Sequence, residues 1–216
     1  MVILDIFKSS GLRSPRSVRH KGKRVSEILA AHALYIRGDE TGARADFAGA
    51  ELSRVDFSRC NLAYGNFQGA NLEGSSFREA RLSSADLSQA RMSRCDLRKC
   101  DLTEASLRGA ILTESRMGGV EAFRCDLRDA DLRGADLAAT NFRDSQMAGV
   151  KLAGANLTTT ILRETNLEGV DLSGLDLSTT LLPRSYSPGQ ESTQGPTKAA
   201  NSDAPAGHDR VAQGPS

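Results

Sequence analysis

The chain of 216 residues contains no Trp and only three His, and aromatic residues make up 5% of it. With so few aromatics it offers no stacking platform for nucleic-acid bases. His20, His32 and His208 lie toward the two ends, so no His-based triad or His–zinc cluster can be assembled in the long stretch between them. No apolar run approaches the 18 residues of a membrane-spanning helix. MVILDIF at the N-terminus is too short for a cleavable signal and has no basic segment before it. A Gly-rich phosphate loop is also missing. Together these absences argue against an enzyme, and no cofactor or metal is expected. The net charge is +1, and such a balance gives no strong field of one sign to gather a polyanion or a cationic partner.

What fills the chain instead is one five-residue word, repeated without a break from Ala45 to Arg184 and beginning ADFAG AELSR VDFSR CNLAY GNFQG ANLEG. The third letter of each word recurs at steps of five from Phe47 to Leu182, giving 28 centres that are all Leu, Phe or Met except Ala122. Two places before each centre stands a small or apolar residue, Leu175 being the largest. The other three letters are mostly Asp, Asn, Arg, Ser, Glu and Gly. A period of five fits neither a helix nor a strand. A coil with four short sides accommodates it, because the centre and the residue two before it point inward on every side while the rest face water. Four words then make a 20-residue turn and the stretch makes seven turns, roughly 34 Å long at the spacing of paired strands.

This stretch resembles the pentapeptide-repeat family, whose pattern is a small residue, Asp or Asn, Leu or Phe, and two variable residues. The resemblance implies an all-β solenoid, a right-handed four-sided β-helix, over about two thirds of the chain. The lead-in LAAHALYIRGDETGARADFAGAEL is similar to that of many bacterial members. Family membership implies fold far more than function.

Within that frame the parts are as follows. Residues 1–24 read as a basic, disordered leader. Residues 25–38 read as a short N-terminal capping helix, with Val25, Ile28, Leu29, His32, Tyr35 and Ile36 on one stripe and Gly38 as its stop. His32 reads as a packed residue of that cap. Residues 45–184 are the β-helix, and residues 185–216, rich in Ser, Pro, Gly and Gln, form a disordered tail. In the interior, Phe47 and Phe67 share one column and Phe57 and Phe77 the opposite one. Phe123 falls outside the inward register, so it either lies exposed or is turned in by a bulge. Ten words end in Gly, nine of them on the two adjacent sides that begin at Phe47 and Leu52, which predicts that type II corners concentrate there. Cys60, Cys95, Cys100 and Cys125 all occupy the small inward position and read as packed thiols. Reduced thiols suit the cytoplasm.

Three functional readings follow. The first is a rigid protein-interaction module or scaffold whose partner the sequence does not name. Its candidate surface is Arg78, Arg91, Arg94, Arg98, Lys99 and Arg116, with Glu79 and Asp96 among them. The second arises because some members of the family mimic DNA with an acidic rod and act on type II topoisomerases such as gyrase, but the outward charges here are nearly balanced on three of the four sides. The third is contact of the basic leader with an anionic membrane or nucleic acid; elsewhere on the chain neither partner is expected. At the far end Pro183 leads into a polar tail, leaving the last coil with an open backbone edge and Leu175, Leu177, Leu181 and Leu182 exposed. Such an edge is a template for pairing, and two copies meeting about a two-fold axis would form a homodimer.

Overall fold

A computed structural model describes residues 11–186 of the chain. Residues 1–10 of the expected leader and residues 187–216 of the expected tail lie outside the described residues.

The five-residue word builds a parallel stack. Each residue just before a centre pairs with its counterpart 20 residues on, as in Asp46 with Asn66, Asn66 with Asp86 and Asp86 with Ser106. On a typical side three backbone bonds join one coil to the next: Phe57 N–H to Ser76 O at 2.7 Å, Arg59 N–H to Arg78 O at 2.9 Å, and Ser76 N–H to Val55 O at 3.0 Å. A fourth, Cys60 N–H to Phe57 O at 3.1 Å, closes the corner. Every backbone donor of the side except one turn N–H is thereby satisfied within the stack, and side chains take that last one. The Asp56 carboxylate accepts from Ser58 N–H at 2.8 Å, and Asp86, Asp101 and Asn156 serve Ser88, Thr103 and Thr158 in the same way. Asp and Asn recur in the word because their short side chains reach a turn donor two residues on.

All centres from Phe47 to Leu162 are buried. The Phe columns form as expected: Phe57 stacks on Phe77 with ring centroids 5.0 Å apart, Phe47 lies 5.1 Å from Phe67, and Phe57 meets Phe67 edge-on at 6.2 Å. The register continues through Ala122, which is buried, and no bulge turns Phe123 inward. Phe123 is half-exposed on the outer face, with the Arg124 guanidinium 4.7 Å from its ring centroid.

The corners depart from expectation. From position 49 to position 174 every third turn residue has positive φ, ten of them Gly and sixteen not, including Arg59, Glu79, Lys99, Arg124 and Glu164. Type II corners therefore run along all four sides rather than the two Gly-rich ones. A non-Gly residue in this region costs about 1–2 kcal/mol. From position 49 to position 149 the corner N–H in this conformation reaches a carbonyl of the neighbouring coil, and a satisfied backbone donor offsets a cost of the same order. Gly eases the corner without being required by it.

The N-terminal segment also differs from the disordered leader read in the sequence. Within residues 11–24, Arg13 bridges Val55 in parallel. A two-residue hairpin then pairs β1 (Arg19–His20) with β2 (Lys23–Arg24) through Lys21 and Gly22, both at positive φ, as a type I′ turn requires. Its anchors are few: Val18 and Val25 are buried and joined by Val25 N–H to Val18 O at 2.9 Å, and the His20 ring sits 6.1 Å from Phe47. Two apolar residues seven apart make no periodic signal. Helix α1 (Val25–Ile36) follows, its Glu27 carboxylate accepting from Arg24 N–H at 2.9 Å. It ends where expected, with Gly38 N–H on Tyr35 O at 2.9 Å and Asp39 N–H on Leu34 O at 3.1 Å, the paired bonds of a Schellman stop. Val25 and His32 are buried and Ile28 and Leu29 pack on the core, whereas Tyr35 turns outward and stacks on His32.

The last coil loosens. Ile161 still pairs with Leu181, but among the described residues Lys151 and Asn156 have no bridge to Asp171 and Asp176. Leu167, Leu175, Leu177 and Leu182 are only partly buried, and they and Tyr186 pack against the core. The described beginning of the expected tail, Ser185 and Tyr186, is thus a turn closed by Tyr186 N–H on Pro183 O at 3.1 Å.

Candidate functional site

The predicted basic cluster spans three successive coils. Arg78, Arg98 and Arg116 come from the side that begins at Phe57, with Lys99 at its corner, and Arg91 and Arg94 from the side that begins at Leu52. Five of the six are exposed and Arg98 is half-buried. Carboxylates answer three of them. Arg94 meets Glu114 at 3.0 Å and Glu73 at 3.8 Å, Arg98 grips Asp96 through Nε at 2.8 Å and Nη2 at 2.6 Å, and Arg78 lies 3.5 Å from Glu79. Burial opposes ionisation of Asp96, yet the hydrogen bonds from Arg98 hold its carboxyl below the usual range. Arg91, Lys99 and Arg116 have no carboxylate within 4.0 Å among the described residues. The positive character of the cluster therefore rests on these three rather than on all six.

The inward row carries chemistry of a structural kind. Ser75, Thr140, Ser145, Thr160, Thr165 and Thr180 donate to the carbonyl of a centre one coil before, at 2.7–2.9 Å. Cys95 and Cys125 do the same through sulfur, to Leu72 O at 3.0 Å and Leu102 O at 2.7 Å. These thiols act as larger serines more than as larger alanines. Burial pushes the thiols of Cys95 and Cys125 up to about 12 and that of Cys100 upward as well, so all three stay protonated rather than act as nucleophiles. Cys60 is only partly buried, and all four cysteines are free.

His32 is a packed residue, as expected. Its Nδ1 accepts from Ala45 N–H at 3.0 Å, while Nε2 lies near Ala63 without a hydrogen bond of ordinary geometry. Burial lowers its pKa, so the ring is neutral and ties α1 to the first word of the repeat.

A surface cavity of about 670 Å³ at the C-terminal end is lined by Arg143, Arg163, Glu164, Leu182, Pro183 and Arg184 among others. Arg143 is bound to Glu164 at 2.7 Å. Sequence reading missed this grouping because its members lie on three coils, at positions 20 or 21 residues apart. Aligning the words in columns of four would have found it.

A family model described as pentapeptide repeats matches the chain in eight copies, over residues 43–78, 80–119, 125–163 and 145–182. No curated protein matches it. Among solved structures it is similar to a pentapeptide repeat protein of the Arabidopsis thaliana thylakoid lumen, at 34% identity over 47% of this chain and 68% of that one, with a TM-score of 0.36. It is also similar to HetL, a pentapeptide repeat protein involved in heterocyst differentiation regulation in the cyanobacterium Nostoc, at 22% identity over 70% and 90% of the two chains and a TM-score of 0.32. A third is trypsin-treated QnrB1, a plasmid-mediated fluoroquinolone resistance protein, at 21% identity over 65% and 87% with a TM-score of 0.35. The matched segments cover more than half of the chain, and their unit is the word whose inward centres and Asx-bonded corners build the stack; the chain belongs to the pentapeptide-repeat family, whose fold is a right-handed β-helix.

Proposed function

We propose that the chain is a non-enzymatic, rigid protein-binding module of the cytoplasm, made of seven coils with α1 and the hairpin as its N-terminal cap. The observation that supports this reading is the invariance of the stack. Three intercoil backbone bonds per side hold the outward residues in fixed rows, so a partner meets side chains whose positions are already set and little ordering entropy is lost. Arg91, Lys99 and Arg116 supply the unneutralised charge of the face, and an acidic protein surface is the partner that suits it. A DNA-like acidic rod is disfavoured, because Arg128, Arg133 and Arg143 sit on Asp126, Asp131 and Glu164 on three different sides of the stack.

Affinity capture by the immobilised chain, read by mass spectrometry, tests the module. Reversing Arg91, Lys99 and Arg116 to Glu is expected to lower recovery of salt-sensitive acidic partners at least about ten-fold while the melting curve stays unchanged. Equal recovery by both proteins would dismiss the cluster.

The same reading includes a homodimer joined through the C-terminal coil, supported by the absence, among the described residues, of a bridge at Asp171 or Asp176 and by Leu181, which is 42% exposed. Light scattering should return about twice 23.1 kDa, and Leu177→Lys with Leu181→Lys should return one chain mass. A single chain mass for the unmodified protein would reject the dimer.

A further inference from the structure

Among the described residues, the hairpin before α1 presents charge of one sign only, and the proposed partner-binding face does not use it. Between Gly11 and Arg24 stand six cations and no acid: Arg13, Arg16, Arg19, Lys21, Lys23 and Arg24. All six are exposed, yet they are held by a folded segment. Arg13 is pinned to the first coil by Asp56 N–H on Arg13 O at 3.1 Å, and Ser26 N–H on Pro15 O at 3.0 Å and Val25 N–H on Val18 O at 2.9 Å fix the remainder. Lys21 reaches Asp46 at 2.6 Å. Arg13, Arg19 and Arg24 direct guanidinium groups to the backbone carbonyls of Ser53, Gly22 and Arg16, and among the described residues these three, Arg16 and Lys23 have no carboxylate within 4.0 Å.

Fold stability does not account for this arrangement. The hairpin register sets Arg19 directly opposite Arg24, and like charges facing each other across an antiparallel pair are destabilising. Lys23 and Arg24 also stand at the start of α1, the end of a helix where cations are unfavourable. The nearest acid in sequence, Glu27, is engaged by Arg24 N–H rather than by a guanidinium. An external polyanion would relieve both repulsions at once.

We infer that this hairpin is a docking surface for an anionic membrane, in which Arg16, Arg19, Lys23 and Arg24 meet lipid phosphates. The membrane is favoured over nucleic acid by composition. Six of the seven residues of MVILDIF, the sequence preceding the hairpin, are apolar, and an apolar segment joined to a basic cluster is the pairing of signals that holds a protein at an anionic bilayer. The hairpin carries no Phe, Tyr or Trp on which bases could stack, and its one aromatic ring, that of His20, packs beside Phe47.

The test is co-sedimentation of the full chain with phosphatidylcholine vesicles, with and without about one-third phosphatidylglycerol, at salt from roughly 0.05 to 0.3 M. Binding is expected only with the anionic lipid, and it should weaken as salt screens it. Arg16→Gln, Arg19→Gln and Lys23→Gln together should lower the partition coefficient roughly 100-fold without lowering the melting temperature. The Arg91, Lys99 and Arg116 reversals should leave vesicle binding intact, so this inference and the proposed partner face can fail separately. Absence of binding to the anionic vesicles, full binding by the Gln variant, or tighter binding to a duplex oligonucleotide than to the vesicles would overturn the proposal.

Discussion

Replacing Leu97 with Asp is expected to abolish the cooperative melting of the coil. Leu97 is a fully buried centre in the column between Phe77 and Met117, and its backbone N–H is already spent on Arg116 O at 2.8 Å. A carboxylate there would lie in an apolar column with no cation in reach, and an unpaired buried charge is among the costliest single changes a fold can suffer. The loss should exceed about 4 kcal/mol. In a stack where each coil contacts only its neighbours, a failed third coil also divides the structure into two short stacks with new open edges. Leu97→Ala, which only removes packing, should cost about 2–5 kcal/mol and keep one transition. Thermal melts followed by circular dichroism distinguish these outcomes, and an unchanged curve for Leu97→Asp would mean that the centres do not face inward.

The second large effect is expected at Gly42, far from any repeat centre. A Cβ built there would lie 2.1 Å from Tyr35 N, 2.5 Å from Tyr35 Cα and 2.6 Å from the Leu34 carbonyl carbon. These are backbone atoms of α1, so no side chain can swing aside to make room. Gly42 closes the return from the helix through Gly42 N–H on Asp39 O at 2.9 Å, and Ala43 N–H follows on Ala31 O at 3.0 Å. Gly42→Ala should therefore push α1 off the first coil, pull His32 from Ala45, and cost about 3 kcal/mol or more. Hydrogen exchange would show it as lost protection at Ala45 and along α1, with the central coils unaffected. Retained protection at Ala45 would indicate that the return loop can move without the helix. By contrast Gly49, Gly69 and Gly154 have no neighbour within 4 Å of such a Cβ, and only their positive φ would resist substitution.

Most of the stack is legible in the chain. A five-residue spacing of Leu, Phe and Met turns every centre inward when each word makes one side of a coil, and the pairing of residues 20 apart fixes four sides per turn. The inward position of the cysteines and the Asx-bonded ladder follow from that same register. The sequence also marks the helix at 25–36, because Val25, Ile28, Leu29 and His32 repeat at helical spacing and Gly38 ends it. Local residue chemistry sets these features, and it acts within a few positions along the chain.

Other features depend on neighbours 20 residues away, or on a single anchor, and only the tertiary structure decided them. Arg59, Glu79 and Lys99 adopt the corner conformation that Gly would favour, because each corner N–H must meet the carbonyl of the next coil. Arg94 and Arg98, prominent in the basic run, are half of ion pairs with Glu114 and Asp96, whereas the hairpin cations, read as a loose leader, are fixed by Val18 and Val25. The last coil carries the same word as the others, yet it opens at Asp171 and Asp176. Among the described residues it has no eighth coil to accept its outward backbone groups, and stacking from both sides is what holds each inner coil closed.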